Sequence, residues 1–392
     1  MKIAHIQHPY LPGYGYQENH LPAHQADLGH DVKIITSTEI PPKFRSEFER
    51  EFFEAGEYEY NGVKTIRLPP WFKINAIEDL ALRGLCPKLN KFDPDIIHAH
   101  GLISPRTLQA YLYAERTNSK IFVDTHIDNG NLSLGSFYKI GLFSIYNYII
   151  IPLISRKCAS YIAVNRYAEQ FLEDSTTVPN SRIDFLPLGI SKSNFTPNNK
   201  KREKTREKLN IPLDRFVMIF AGNVEPTKDL ETLLRALASI SSKYELIVLG
   251  SCDQDYKNKL EVVSKELGIT NKVTFIDAVP HDTLSCYLNA ADLGIWPGKL
   301  GITCIEAIGT GLPLIVSNDA AMEFLVSNNN GFTFDRGSPR SLSSRIQYYI
   351  DNPATLESHS QNAASFASDE LYWDTIAEKS ITIYSKRTDQ DH

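Results

Sequence analysis

Between Asp292 and Asn318 the chain reads as a strand, a loop, a helix and a second strand, and this unit limits the folds that can hold it. Leu293 to Trp296 is apolar throughout and short, as expected of a strand covered on both faces in a parallel sheet. Pro297-Gly298 ends it, because proline lacks the ladder N–H and glycine permits a turn. Thr303 stands three residues before Glu306, the spacing of a capping box, so a helix is expected to begin there. Gly309, Gly311 and Pro313 stop it, and Leu314 to Val316 is the next strand. A helix start at the carboxyl edge of a parallel sheet aims the amides of Gly301, Ile302 and Thr303 outward, where anions bind. Glu306 reads either as the cap of its own helix or as an acceptor for a ribose diol beside that anion.

The rest of the chain repeats this grammar in two halves. Lys2 to Gln7, the loop with Gly13 and Gly15, a helix from Gln17 to Leu28 and a strand at Val32 to Thr36 make a Rossmann-like opening. Further strands are expected at Gly62 to Leu68, Pro94 to His100, Lys120 to Asp124, Tyr161 to Val164 and Ile183 to Leu186. His126 falls just past a buried strand, where ligand-facing side chains of α/β sheets gather. Phe216 to Ala221 starts the second half, followed by the loop from Gly222 to Lys228. In the next helix, Leu230, Leu233, Leu234 and Leu237 fall at i, i+3, i+4 and i+7. Lys228 stands at that helix's mouth, an ammonium suited to a diphosphate. Strands at Leu246 to Leu249 and Val273 to Ile276 lead on to the Asp292 unit. The basic run from Asn194 to Lys208 is read as a hinge, giving domains at 1–193 and 207–370, a linker at 194–206 and a last helix over 371–386.

At 392 residues two domains are expected, and a net charge of −6 provides no overall basic field for nucleic acid. Cys86, Cys158, Cys252, Cys286 and Cys304 are scattered without a C-x-x-C pair, which favours free thiols in the cytosol over a disulfide frame or a zinc site. No signal segment or apolar run of membrane-spanning length is read. Leu134 to Ile154 is dense in apolar and aromatic residues. It reads as a buried helix pair, or as an interfacial helix with Lys139, Arg156 and Lys157 at lipid headgroups. The triplets Asp93-Pro94-Asp95 and Asp253-Gln254-Asp255 are assigned to the surface, and no metal or cofactor is expected.

Assembled in order, the Pro12 to Glu18 run, Leu28 to Val32, PDIIHAHG, the strand ending in His126, the AGNVEPTK loop and GITCIEAIGTGLPLIV resemble the landmarks of the GT-B glycosyltransferases of family 4. The resemblance implies an α/β fold of two Rossmann-like domains facing across a cleft, with a C-terminal helix crossing back to the N-terminal, acceptor-side domain. It implies a retaining, metal-independent hexosyl transfer from a nucleoside-diphosphate sugar, UDP- or GDP-linked, to a hydroxyl of a saccharide or lipid-linked saccharide. His126, Lys228 and Glu306 would be the catalytic set. The donor would lie against Gly13, Gly15, Gly222, Asn223, Phe275, Ile276, Gly298, Gly301, Ile302 and Thr303, and the acceptor against Tyr14, Tyr16, Glu18 and His100. Three positions depart from the family pattern: Gly298 stands where its first acid belongs, Asn223 where an arginine follows the phosphate-loop glycine, and Tyr16 where the N-terminal pair has its second glycine. Those departures prompt a rival reading, a catalytically silent sugar-nucleotide binder. An epimerase of the same fold is another.

Overall fold

The structure is a computed structural model that describes residues 1–13, 17–128, 137–299 and 301–389. The chain divides into two compact units, Met1–Leu188 with Trp373–His392, and Gly189–Tyr372.

The first unit carries β1 (Lys2–Ile6), β2 (Asp31–Ser37), β3 (Gly56–Tyr60), β4 (Val63–Leu68), β5 (Pro70–Ile74), β6 (Asp79–Leu82), β7 (Ile96–His100), β8 (Lys120–Thr125), β9 (Cys158–Ala163) and β10 (Ile183–Phe185). Its main sheet runs β10-β9-β8-β7-β1-β2-β4-β3 and is parallel except where β3 returns along β4. The order reverses at β1, whose neighbours are β7 and β2. Such switch points are where ligands meet open α/β sheets. One face of the sheet is covered by the helix Gln17–Asp27 and by the last helix, Trp373–Asp389, whose Trp373, Ile376, Ala377 and Tyr384 pack on Ile3, Ile34, Phe122 and Ile162. β3 and the β5–β6 hairpin have no counterpart in the sequence reading.

The second unit is a single parallel sheet: β11 (Phe216–Ala221), β12 (Tyr244–Leu249), β13 (Val273–Ile276), β14 (Leu293–Trp296), β15 (Leu314–Ser317) and β16 (Gly331–Phe334), in the order β13-β12-β11-β14-β15-β16. Met218, Ile219, Leu293, Ile295 and Ile315 are fully buried, as expected when helices cover both faces. Here the order reverses between β11 and β14.

Two expectations are corrected. The run at 194–206 is not a linker. Asn199–Lys208 is a helix of the second unit, capped by Asn198, whose side chain accepts from Lys201 N–H. Its basic residues face the end of the helix His281–Ala290, where carbonyls lack partners and cations are favoured. Arg206, wholly buried, donates to Ala290 O at 2.8 Å and to Asp292 Oδ2 at 2.8 Å; Arg202 reaches Asp292 Oδ1 at 2.5 Å. The aromatic segment is not a buried helix pair, the first of its two expected forms. Phe137–Ile145, a π-helical turn Tyr146–Ile150 and Ile151–Ile154 run on as one helical stretch. It buries Tyr146, Ile151 and Ile154 while leaving Ile140, Ile145, Tyr148 and Ile149 exposed. Among the described residues no helix is long and apolar enough to cross a membrane.

Candidate active site

At the switch point of the second sheet, the ends of β11 and β14 splay apart around a cavity of about 240 Å³. Gly222, Asn223, Glu225 and Lys228 line it from the loop after β11, and Gly301, Ile302 and Thr303 from the start of the helix Ile302–Gly309. The sequence reading brought these groups together, and the fold does so through close backbone contacts. A Cβ on Gly250, after β12, would lie 1.8 Å from Gly222 O, so the two loops touch with no room for a side chain. Thr303 Oγ1 and Trp296 Nε1 both donate to Ala221 O, at 2.6 and 3.0 Å.

Thr303 is therefore not the cap of its helix, a correction to the capping-box reading. Gly301 occupies the N-cap and has no side chain to cap with, and the threonine hydroxyl is spent on β11. The first-turn amides of such a helix have no partners inside it. An anion set there would meet N–H groups and the positive end of the helix.

Lys228 ends a short 3₁₀ turn, Pro226–Lys228, and its ammonium donates to Lys299 O at 3.0 Å, with Glu225 Oε1 4.0 Å away. Burial of the amine lowers its pKa, Glu225 works the other way, and nearby Lys299 adds to the lowering. The turn after β14 locks onto this one: Lys299 N–H donates to Thr227 O at 2.9 Å. The approach explains the glycine that replaces the family's acid. A Cβ on Gly298 would stand 2.2 Å from Thr227 O and 2.6 Å from Lys228 C, so this backbone admits no side chain. Asn223, where the family has arginine, accepts from Ser251 Oγ at 2.9 Å.

Glu306 is buried, with one carboxylate oxygen bonded by His281 Nε2 at 2.5 Å and the other, Oε2, without a partner. The sequence reading missed His281. It begins the helix that follows β13, so the positional argument used for His126 would have found it. Phe275 and Ile276 do not join the loop cavity. The Phe275 side chain lines a separate concavity of about 540 Å³ with Val262 and Lys265, and Ile276 O accepts from Gly250 N–H at 2.9 Å.

In the first unit His126 is exposed just beyond β8, as its position implied. Gly13 has a φ of +86° in the loop after β1, and Glu18 lies in the first turn of the helix Gln17–Asp27. Tyr14, Gly15 and Tyr16 lie outside the described residues. His100 is not displayed at the surface: it is 5% exposed and bonded inside a polar chain beneath the sheet edge. The contacts fit one set of protons. His100 Nδ1 stands 2.7 Å from Asp124 Oδ2 as an ion-pair contact, and its Nε2–H donates to His5 Nδ1 at 3.0 Å. His5 Nε2–H donates to Gln25 Oε1 at 2.7 Å, and Gln25 Nε2 to Ser380 Oγ at 2.8 Å. Tyr384 O–H donates to His98 Nδ1 at 2.5 Å, and His98 Nε2–H to Asp124 Oδ2 at 3.2 Å. Burial opposes charge on His100, yet Asp124, aided by Glu18, holds its pKa above the ordinary histidine value; His5 and His98 are pushed down by burial and by neighbouring histidines.

His5, His98 and His100 lie close enough to share a metal ion, but the His98 and His100 rings stack 6° from parallel at 4.5 Å. Ring nitrogens of stacked imidazoles do not converge on one centre, and the hydrogen bonds above already use them. Of the two acidic triplets, Asp253 caps the helix Gln254–Glu266 and Asp95 accepts from Lys2 N–H at 2.7 Å.

Residues 19–194 match the profile of Glycosyltransferase Family 4, and residues 201–366 that of Glycosyl transferases group 1. An uncharacterized glycosyltransferase of Methanocaldococcus jannaschii is 26% identical over 57% of this chain and 59% of its own length. A D-inositol 3-phosphate glycosyltransferase of Catenulispora acidiphila is 23% identical over 74% of this chain and 70% of its own. The match thus spans from somewhat over half to about 70% of these relatives. Among solved structures, Anabaena HepE in complex with UDP superposes with a TM-score of 0.73 at 17% identity, covering 98% of this chain and all of that one, a likeness of fold. Two profiles that together run through both Rossmann-like units identify the chain as a GT-B glycosyltransferase of the group 1, family 4 type.

Proposed function

We propose that this chain transfers a hexosyl unit from a UDP- or GDP-sugar to a hydroxyl of a saccharide or lipid-linked saccharide, with retention and without a metal. The observation that carries the reading is the loop cavity, where one ammonium, Lys228, and the first residues of a helix, Gly301 to Thr303, converge. As the glycosidic bond breaks, charge gathers on the leaving diphosphate, and donors fixed in advance stabilise it without reorganising. Lys228 neutralises the diphosphate, the amides from Gly301 to Thr303 hold phosphate and sugar, Glu306 takes the ribose, and His126 orients the transferred sugar. HepE was solved with UDP, which supports a nucleotide donor for the same fold. The test is a binding and transfer panel of UDP-, GDP- and ADP-sugars with EDTA present, followed by the anomeric configuration of the product. Donor bound but never transferred or hydrolysed, with any acceptor offered, would establish the silent-binder reading that Gly298 and Asn223 prompt.

The exposed apolar side chains of the 137–154 stretch support a peripheral membrane contact. Tyr148 is 70% and Ile149 60% exposed, and the hairpin bearing exposed Trp71 and Phe72 packs its Asn75–Ile77 turn against the same stretch. Side chains of this kind insert into the headgroup boundary while nearby lysine and arginine meet anionic lipid. Sedimentation with phosphatidylglycerol vesicles, lost in the Tyr148→Ser, Ile149→Ser double variant, is the expected result. Equal sedimentation of parent and variant removes the contact.

A further inference from the structure

Glu306 lies in the second turn of its helix with 5% of its side chain exposed, and one oxygen, Oε2, has no hydrogen-bond partner. A buried carboxylate oxygen left without a donor is unfavourable and marks a place where a ligand hydroxyl belongs. The other oxygen is taken by His281 Nε2 at 2.5 Å. His281 comes from a different helix and is itself half exposed, 51%, with its ring set edge-on against buried Phe195 at 5.3 Å between centroids. The aromatic wall limits where the imidazole can sit, and the imidazole limits where the carboxylate can point.

We propose that His281 is the positioning residue for Glu306: by holding Oε1 it aims Oε2 at the ribose hydroxyls of the donor and so makes the site prefer ribonucleotides to 2′-deoxyribonucleotides. The inference rests on the nucleotide-sugar reading above and extends it to a residue outside the loop cavity. His281 does not touch the reacting atoms; it acts through the carboxylate. The charges that face it are Glu306, across the hydrogen bond, and Asp282, beside it on its own helix. From the helix Asn199–Lys208, packed on the same helix, Lys201 is already bonded to Ser285 Oγ at 2.7 Å. The hydrogen bond from Glu306 raises the His281 pKa, against the effect of burial, with the carboxylate's charge and Asp282 adding to the rise. His281 is therefore charged on the acid side of that value, and the positive charge fades as pH rises through it.

The experiment is calorimetric titration of the full chain with UDP, GDP and ADP, then with the 2′-deoxy counterpart of whichever binds tightest, for the parent, His281→Ala, His281→Gln, Glu306→Ala and the His281→Ala, Glu306→Ala double variant. A hydrogen bond to a charged group is worth about a tenfold change in affinity. His281→Ala is expected to cut the ribo-over-deoxy preference by about tenfold, while His281→Gln, whose amide can donate at similar reach, keeps most of it. The double variant is expected to match Glu306→Ala alone. As pH rises through the His281 value the parent should lose only the part of the preference that the positive charge adds, because a neutral imidazole can still donate Nε2–H, and that small limb should vanish in His281→Gln. An unchanged preference in His281→Ala, or a further drop when it is added to Glu306→Ala, overturns the positioning role. A preference that survives Glu306→Ala overturns the assignment of Glu306 to the ribose, and no binding of any of the three diphosphates by the parent overturns the function itself.

Discussion

Restoring the family's acid at position 298 is expected to damage this protein. The turn after β14 and the 226–228 turn, which line the proposed phosphate end of the site, meet there as backbone against backbone. A Cβ on Gly298 would lie 2.2 Å from Thr227 O, 2.6 Å from Lys228 C and 2.7 Å from Lys228 Cα, distances that real Cβ atoms do not show. Relief requires the 226–228 turn to move back by roughly 1 Å, an overpacking change that costs about 1–3 kcal/mol. In a domain of this size each kcal/mol shifts the midpoint by roughly 2–4 °C, so Gly298→Ala and Gly298→Glu should lower the Tm of the second unit by about 2–12 °C. The same movement breaks the Lys299 N–H to Thr227 O bond and the Lys228 ammonium to Lys299 O bond that set the cation in place. Affinity for the donor should therefore fall with stability. Gly301→Ala is the control for stability, because a Cβ there meets only Thr303 Oγ1 at 3.6 Å and Lys228 Nζ at 3.9 Å. Differential scanning calorimetry and UDP titration read both quantities. A Gly298→Glu variant that melts with the parent and binds UDP as well would refute the steric account of why the acid is missing.

Other consequences follow from the same contacts. Lys228→Ala should leave the Tm within a degree or two and lower kcat by about 10²–10³, as loss of one preorganised charge does, measured by release of the nucleoside diphosphate; unchanged turnover would remove Lys228 from the chemistry. Asp292→Ala strands Arg206, wholly buried, and should cost about 3–5 kcal/mol by urea unfolding, part of which returns when Arg206→Met is added. The first unit should weaken on the acid side. His8 is pushed down to about 3, by burial and then by Arg106, Lys73 and Arg67, and burial also depresses His5 and His98. A base depressed in the folded state is fully stabilising above its unfolded value near 6.5 and loses stability as pH falls, so His8 alone removes about 2 kcal/mol between pH 6.5 and 5. His100, raised, contributes the opposite limb, present below 6.5 and lost as pH rises through its folded value. A urea midpoint for this unit that is the same at pH 7 and pH 5, in parent and His8→Gln alike, would contradict the assignment.

What the sequence made legible depended on whether the signal was local. Apolar runs such as Leu293 to Trp296 became strands with little change of boundary, because a strand buried on both faces has nothing but apolar residues to show. The loop with Lys228 was found for the same reason, glycine, proline and a periodic leucine helix marking it within a few residues, and the helix start read at Thr303 was found to within two residues, its N-cap being Gly301. Partnerships across the sheet were not legible. Thr303 and Glu306 have the spacing of a capping box, yet each is drawn away by a residue far along the chain, Thr303 by Ala221 O and Glu306 by His281. Local spacing could offer that cap but could not say whether a better partner would arrive. The basic run before Lys208 failed in the same direction. It looked like solvated linker because its counter-charge, Asp292, and the carbonyls it satisfies lie more than eighty residues later. Where the sequence reading erred, charge and hydroxyl groups had been assigned to solvent or to their own helix, and the fold had paired them over distance. The departure at Gly298 belongs with these: it reads as a lost acid in the sequence, and only the approach of Thr227 shows that this backbone holds Lys228 by a carbonyl in a space where a side chain cannot stand.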